Sequence, residues 1–80
     1  MPYNFKTLNL HGVSHFEAKS AVEDFIMKNY TTLPVLIITG NSIDMQTVVK
    51  EITIKHKLRM VPEHVNNLGS YIINQSLDIK

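Results

Sequence analysis

The sequence contains no cysteine and no tryptophan, and only three of its 80 residues are glycine. Without cysteine the chain forms no disulfide and offers no thiolate ligand to zinc. Charge of one sign is not in excess either, because eight Lys and Arg residues balance seven Asp and Glu residues and leave a net charge of +1. This balance excludes a strongly basic nucleic-acid clamp, although it leaves room for a local basic patch.

Long hydrophobic runs are also missing. The longest, Leu33 to Ile38, contains Pro34 and is far shorter than the roughly 20 apolar residues that span a bilayer. The opening residues lack the charged and apolar regions of a signal peptide. With 44% hydrophobic and 19% charged residues, the composition is that of a globular protein. We expect a single cytoplasmic domain over residues 1–80, with no membrane partner.

The first structural unit in the sequence is a strand followed by a helix. Residues 5–10 mix aromatic, apolar and polar side chains as a strand does, and the strand ends before Gly12. Ser14 and Glu17 match a capping box, so a helix is predicted from Ser14 to about Asn29. Its buried stripe recurs at helical spacing: Ala18, Ala21, Val22 and Phe25.

The second unit repeats this order. The aliphatic run at residues 35–38, between Pro34 and Gly40, predicts a strand that is covered on much of both faces. Asn41 or Ser42 can cap the helix that follows. The buried stripe of this helix is Met45, Val48, Val49 and Ile52.

The remaining residues predict two strands joined by a turn. Residues 58–65 form the third strand, and Pro62 restricts it to a sheet edge or a bulge because proline donates no ladder hydrogen bond. Asn66 to Gly69 have the composition of a turn, and residues 70–76 form the final strand. The predicted order of elements is β-α-β-α-β-β.

This order predicts an α/β two-layer sandwich. Two right-handed crossovers that progress the same way place both helices on one face of the sheet. The fourth strand returns antiparallel after the turn. Since proline keeps the third strand at an edge, the fourth lies between the third and the second. The result is a four-stranded mixed sheet of order 1-2-4-3, whose other face is not covered by helices.

One end of this sheet collects the candidate functional residues. Ligands in open α/β sheets bind beyond the carboxyl ends of the parallel strands, and both helix N-termini point to the same place, where their amides favour an anion such as phosphate. We call this loop cluster the rim. It contains His11, Gly12, His15, Gly40, Asn41, Ser42, His64, Asn66, Asn67, Gly69 and Ser70.

Each rim residue also has a purely structural explanation. Glycines at strand–loop junctions serve backbone geometry, serines cap helices, and a lone histidine is more often hydrogen-bonded than catalytic. His11 and His15 have a metal-like spacing, but no acidic or cysteine partner is adjacent, so a metal site is not favoured.

A basic run over residues 55–59 is predicted at the opposite end of the sheet from the rim. There it complements the C-terminal dipole of the second helix, or it contacts a phosphate. Lys55 also lies four residues after Glu51, which is the spacing of an ion pair within a helix.

The segments around the rim resemble those of a known family. Residues 8–12, Leu-Asn-Leu-His-Gly, followed by Glu17-Ala18, resemble the Leu-Asp-Leu-His-Gly…Glu-Ala signature that opens the small MutS-related (Smr) domain. Residues 39–42, Thr-Gly-Asn-Ser, resemble its Thr-Gly-x-Gly segment, and residues 69–73 resemble its closing glycine-rich turn and strand. The resemblance covers residues 6–74, with the same order of elements.

The resemblance implies a fold like the C-terminal domain of bacterial translation initiation factor three. It also implies binding of nucleic acid, RNA or DNA, often with endonuclease activity. It carries His11 over as the catalytic residue and places Gly40, Asn41 and Ser42 at the phosphate-contacting loop. No cofactor is evident, and Mg²⁺ or Mn²⁺ is the divalent cation that such an endonuclease could use. The other residues expected to contact phosphate are Asn9, Gly12, Thr39, His64, Asn67, Gly69 and Ser70.

Two departures from the family pattern bear on catalysis, because the family's aspartate is Asn9 here and its second loop glycine is Ser42. Three hypotheses follow. The protein is an Smr-like endonuclease with His11 as general acid or base, or a catalytically inactive nucleic-acid-binding module. Alternatively, it is a small protein-interaction domain that uses the uncovered sheet face or the edge of the third strand.

Overall fold

A computed structural model describes residues 5–76 of the protein. The order of elements predicted from the sequence is confirmed. A short 3-10 helix, Tyr30–Thr32, leads from the first helix into the second strand. The strands are β1 (Lys6–Asn9), β2 (Val35–Ile38), β3 (Leu58–His64) and β4 (Asn67–Gln75), and the helices are α1 (His15–Lys28) and α2 (Ile43–Lys55).

The strands form one mixed sheet of order β1-β2-β4-β3. β1 runs parallel to β2, with Leu8 opposite Ile37, and β4 runs antiparallel to both β2 and β3. β3 therefore lies at an edge, where the missing N–H of Pro62 does not interrupt an interior ladder. The four-stranded α/β fold with the predicted strand order is confirmed.

Serine side chains define where both helices begin. Ser14 Oγ accepts a hydrogen bond from Glu17 N–H at 3.2 Å, and Ser42 Oγ accepts one from Met45 N–H at 3.1 Å. Ser42 rather than Asn41 is therefore the cap of α2. With 14 and 13 residues, neither described helix is long and apolar enough to cross a membrane.

The connection between β3 and β4 differs from the prediction. His64 pairs with Asn67, so the hairpin turn has only two residues, and the turn predicted over Asn66–Gly69 is wrong. The register shifts between Pro62 and His64, which places three residues of β4 opposite one residue of β3. Gly69 therefore belongs to a bulge inside a strand. Glycine is frequent in bulges as well as in turns, so its presence did not distinguish the two.

The core lies between the sheet and the two helices. The stripe predicted for α2 is buried in full. In α1 the predicted Ala18 and Val22 are completely buried. The next buried residue is Ile26 and not the predicted Phe25, which is only partly buried, so the buried residues follow i, i+4 spacing. The buried apolar residues are Leu10, Ala18, Val22, Ile26, Val35, Ile37, Met45, Val48, Val49, Ile52, Leu58, Tyr71 and Ile73.

The other face of the sheet carries the side chains that alternate with these core residues. Leu36 and Ile38 of β2 lie there, together with Ile72 of β4, and all three are half-buried. Val61 of β3 is opposite Ile72 and is 36% exposed. Each strand therefore alternates between the core and this second face, as a period of two residues requires.

An ionic bridge on the surface joins the two helices. Glu23 of α1 accepts a hydrogen bond from His56 Nε2 at 2.8 Å and another from Lys55 Nζ at 3.2 Å. Lys55 therefore pairs with Glu23 of the other helix. The pair with Glu51 that the i, i+4 spacing predicted is not formed. The hydrogen bond from His56, together with that from Lys55, holds the pKa of Glu23 below its ordinary value of 4.5.

Replacing Glu23 with Gln should destabilise the protein at neutral pH, by an amount that shrinks as the pH falls below 4.5. A carboxylate with a lowered pKa in the folded state stabilises the fold above its unfolded pKa, and this stabilisation is lost as the pH falls through the folded pKa. Urea unfolding across this pH range measures the effect. Glu51→Gln, an exposed carboxylate change on α2, is the control, and equal losses at all pH values would contradict the bridge.

Candidate functional site

The rim begins where β1 ends in a tight turn. Leu10 N–H still donates to Ile38 O at 2.8 Å, and Val13 N–H donates to Leu10 O at 3.0 Å, which places His11 and Gly12 at the corners of the turn. Gly12 has a φ of +84°, the left-handed conformation that favours glycine at this position of a turn. His11 is thereby held on the surface.

Asn9 fixes this turn from the strand side. Its Oδ1 accepts a hydrogen bond from His11 N–H at 2.9 Å. An aspartate, as in the Smr motif that this segment resembles, would accept the same N–H through a carboxylate oxygen. Asn9 therefore supports the turn as an aspartate would, but without a negative charge.

The end of β2 is joined to β4 through one carbonyl group. Gly69 O accepts from Thr39 N–H at 2.8 Å and from Gly40 N–H at 3.0 Å, while the buried Thr39 hydroxyl donates to Gly40 O at 2.8 Å. A Cβ on Gly69 would lie 3.4 Å from the carbonyl carbon of Gly40 and 3.1 Å from Asn67 Oδ1. The two strand ends approach closely because Gly69 has no side chain.

His11 lies against this junction. A Cβ built on Gly40 would be 3.8 Å from His11 Cδ2, so the imidazole borders the space that a side chain at position 40 would occupy. The loop after β1, the loop after β2 and the first part of β4 thus meet at one point. Gly12, Asn41 and Ser42 follow within the same two loops.

Ser70 and His64 lie on the side of the rim formed by β3 and β4. Ser70 is 5% exposed, and its hydroxyl donates to Glu63 Oε1 at 2.7 Å, so the hydroxyl proton is used in this hydrogen bond. His64 is exposed, with its Nε2 4.0 Å from Glu63 Oε2. Glu63 was not predicted as part of the rim, because the sequence does not fix the register shift that brings it to Ser70.

Gln46 is a second residue that the sequence analysis did not assign to the site. Its Nε2 donates to Leu68 O at 3.0 Å. This hydrogen bond ties the first turns of α2 to the start of β4, so the loop over residues 40–42 is held at both ends.

The rim has no cationic side chain of its own, because none of the residues assigned to it is Lys or Arg. Carboxylates are present instead: Glu17 and Asp44 lie in the first turns of α1 and α2, and Glu63 lies beside Ser70. An anion at the rim would therefore be held by backbone amides at the helix N-termini.

Within residues 5–76, no group of three or more His, Asp or Glu side chains is arranged to hold a metal ion. The basic run lies at the C-terminal end of α2, where Lys55 and His56 contact Glu23, and so at the opposite end of that helix from the rim.

Comparisons with protein-family models, with curated proteins and with solved structures found no match for this chain. The family resemblance therefore rests on its sequence motifs.

Replacing Gly69 with Val should destabilise the fold by roughly 1–3 kcal/mol, because the added side chain crowds Asn67 Oδ1, which accepts the Gly69 N–H, and fills the space beside the Gly40 backbone. Gly69→Ala should have a smaller effect of the same sign. Urea unfolding measures the loss, and the amide resonances of Thr39 and Gly40 should move because both amides donate to Gly69 O.

Gly12→Ala serves as the control for this prediction. A Cβ at Gly12 meets nothing within 4 Å, so the loss of about 1 kcal/mol arises from its positive φ alone. It should leave the Gly40 amide resonance in place. Unchanged Gly40 resonances in the Gly69 variants would show that the two glycines are not in contact.

Proposed function

We propose that this protein binds nucleic acid at the rim, with phosphate held by the loop over residues 40–42 and His11 placed to transfer a proton at the phosphodiester. The observation that best supports this proposal is the position of the His11 ring, whose Cδ2 would lie 3.8 Å from a Cβ built on Gly40. It places a titratable side chain beside backbone that has no side chain to keep a phosphate away. The N-terminus of α2, which begins at Ile43, offers further amides to the same phosphate.

An imidazole in this position suits both proton-transfer roles. The neutral ring can accept a proton from a water or ribose hydroxyl as its oxygen bonds to phosphorus, and the protonated ring can donate one to the oxygen that departs. His11 is exposed, while the hydrogen bond from its N–H to Asn9 fixes its backbone. The ring is therefore open to a substrate and attached to a rigid turn.

The two departures from the family pattern affect binding and catalysis differently. Asn9 retains its hydrogen bond to the His11 turn, and Ser42 caps α2, so the scaffold of the rim is intact. A negative charge and a close approach to the backbone are lost, and both are features that a phosphodiester cleavage site could use. Binding should therefore survive these changes better than cleavage.

The pure protein should bind labelled nucleic acid at low salt, and any cleavage should fall about 10²–10⁴-fold in His11→Ala while binding remains. Structured RNA, single-stranded RNA and supercoiled DNA are each incubated with and without Mg²⁺ or Mn²⁺. Mobility shift and product formation are read from the same samples.

The matched control is His15→Ala, which removes an exposed histidine at the start of α1. Cleavage lost in His11→Ala and kept in His15→Ala supports the proton-transfer role. Cleavage that is equal in both variants contradicts that role, and binding without cleavage by the wild type restricts the site to recognition. Absence of binding to all three nucleic acids at low salt contradicts the proposal as a whole.

Binding at the rim should also depend only weakly on salt. Each phosphate neutralised by Lys or Arg contributes about −0.9 to the slope of log affinity against log salt on duplex DNA, and the rim contains neither residue, so a slope smaller than about 2 in magnitude is expected. Titrations at increasing NaCl concentration give the slope. A steep slope would place the binding surface on the basic run over residues 55–59 instead.

A further inference from the structure

A groove of about 510 Å³ runs between α2 and the edge strand β3. Its floor is apolar and consists of Leu58, Met60 and Tyr71. From the helix side it is lined by Ile43 and Ile54, which are eleven residues and therefore about 16 Å apart along the helix axis. The groove is distinct from the contact between His11 and Gly40.

α2 has a second stripe of groove-lining residues that the core does not use. Ile43, Thr47, Lys50 and Ile54 recur at i, i+4, i+7 and i+11, so this stripe has an isoleucine at each end and polar side chains between them. Ile43 is 75% exposed and Ile54 is 62% exposed, although the buried stripe of the same helix already supplies its packing. Large aliphatic side chains left in water along a groove indicate contact with another molecule.

The charge of the groove indicates the chemistry of that molecule. Lys50 lines it from α2, and Arg59 lines it from the β3 edge, where Arg59 also borders the second sheet face beside Val61. No Asp or Glu is among the groove-lining residues in the described part of the chain. Neither cation takes part in any ion pair that residues 5–76 form, since those pairs involve other Lys and His side chains. The complement of an apolar groove with two unpaired positive charges is an apolar surface that carries carboxylates.

We propose that this groove binds an acidic amphipathic helix of a partner protein. Its apolar side chains would contact Ile43, Ile54 and the groove floor, and its carboxylates would meet Lys50 and Arg59. The i, i+4 and i+7 anchors of helix-in-groove recognition extend over about 10 Å, or two helical turns, so they fit within the distance of about 16 Å between the two isoleucines. This binding site depends on neither His11 nor a phosphate.

The test uses random peptides displayed on phage, selected on the wild type and counter-selected on Thr47→Trp. Thr47 is exposed and lines the groove, so the indole fills the groove without entering the core. Enriched peptides should carry large apolar residues at helical spacing together with Asp or Glu. A synthetic copy should shift the amide resonances of α2 and β3, and should lose about tenfold or more in affinity for the double variant Lys50→Glu, Arg59→Glu.

Lys19→Glu is the matched control, because Lys19 is an exposed lysine of α1 outside the groove. It should leave peptide affinity unchanged, as should His11→Ala, which separates this site from the rim. Circular dichroism melting establishes that the charge variants are folded, as expected for substitutions of exposed residues.

Several results would overturn the proposal. The first is a selection that enriches no peptide sensitive to Thr47→Trp, and the second is an enriched peptide that binds the double variant as well as the wild type. A mass that rises with protein concentration and returns to the monomer value in Ile43→Ser, Ile54→Ser would assign the groove to a second copy of this chain. A single-stranded oligonucleotide that competes with the peptide and shifts the same resonances would assign it to nucleic acid.

Discussion

The approach of Gly69 to Gly40 is the contact on which both the sheet and the rim depend. One carbonyl, Gly69 O, accepts the N–H groups of Thr39 and Gly40 and so fixes where the chain leaves β2 for α2. A Cβ at position 69 would lie 3.1 Å from Asn67 Oδ1 and against the Gly40 backbone, so this junction leaves little room for a side chain inside the strand. The bulge of β4, which places Ser70 beside Glu63, accompanies this junction. The His11 ring borders the same residue, since its Cδ2 would lie 3.8 Å from a Cβ built on Gly40.

The sequence was sufficient for the fold because most element boundaries depend on interactions between near neighbours. Ser14 and Ser42 each cap an amide three residues away, and Pro62 is compatible only with an edge or a bulge. The hairpin was predicted wrongly because Asn66–Gly69 have the composition of a turn. Gly69 instead lies in β4 beside Gly40, and a contact between residues so far apart in the sequence leaves no local pattern. The bridge from His56 to Glu23 spans 33 residues and is equally invisible in the sequence.

For the rim, the sequence could predict which loops meet but not that Glu63 would lie beside Ser70. Both helices run in the same direction relative to the sheet, so their N-termini share one end and their C-termini the other. Helix N-termini favour carboxylates and helix C-termini favour cations. Asp44 accordingly lies in the first turn of α2, and Lys55 lies in its last. An anion at the rim must share the positive ends of the helix dipoles with acidic side chains, so recognition there has to rely on backbone amides and on the shape of the loops.

α2 connects the rim with the groove beside β3. Its N-terminus is fixed at the rim by the Ser42 cap, and its exposed stripe forms one wall of the groove. Gln46 belongs to both surfaces, because it lines the groove and its amide donates to Leu68 O at the start of β4. A molecule that fills the groove as far as Ile43 therefore contacts Gln46, whose hydrogen bond helps to position β4 and Gly69. Since Gly69 O in turn binds the end of β2, the two surfaces are linked by a continuous chain of hydrogen bonds and packed backbone.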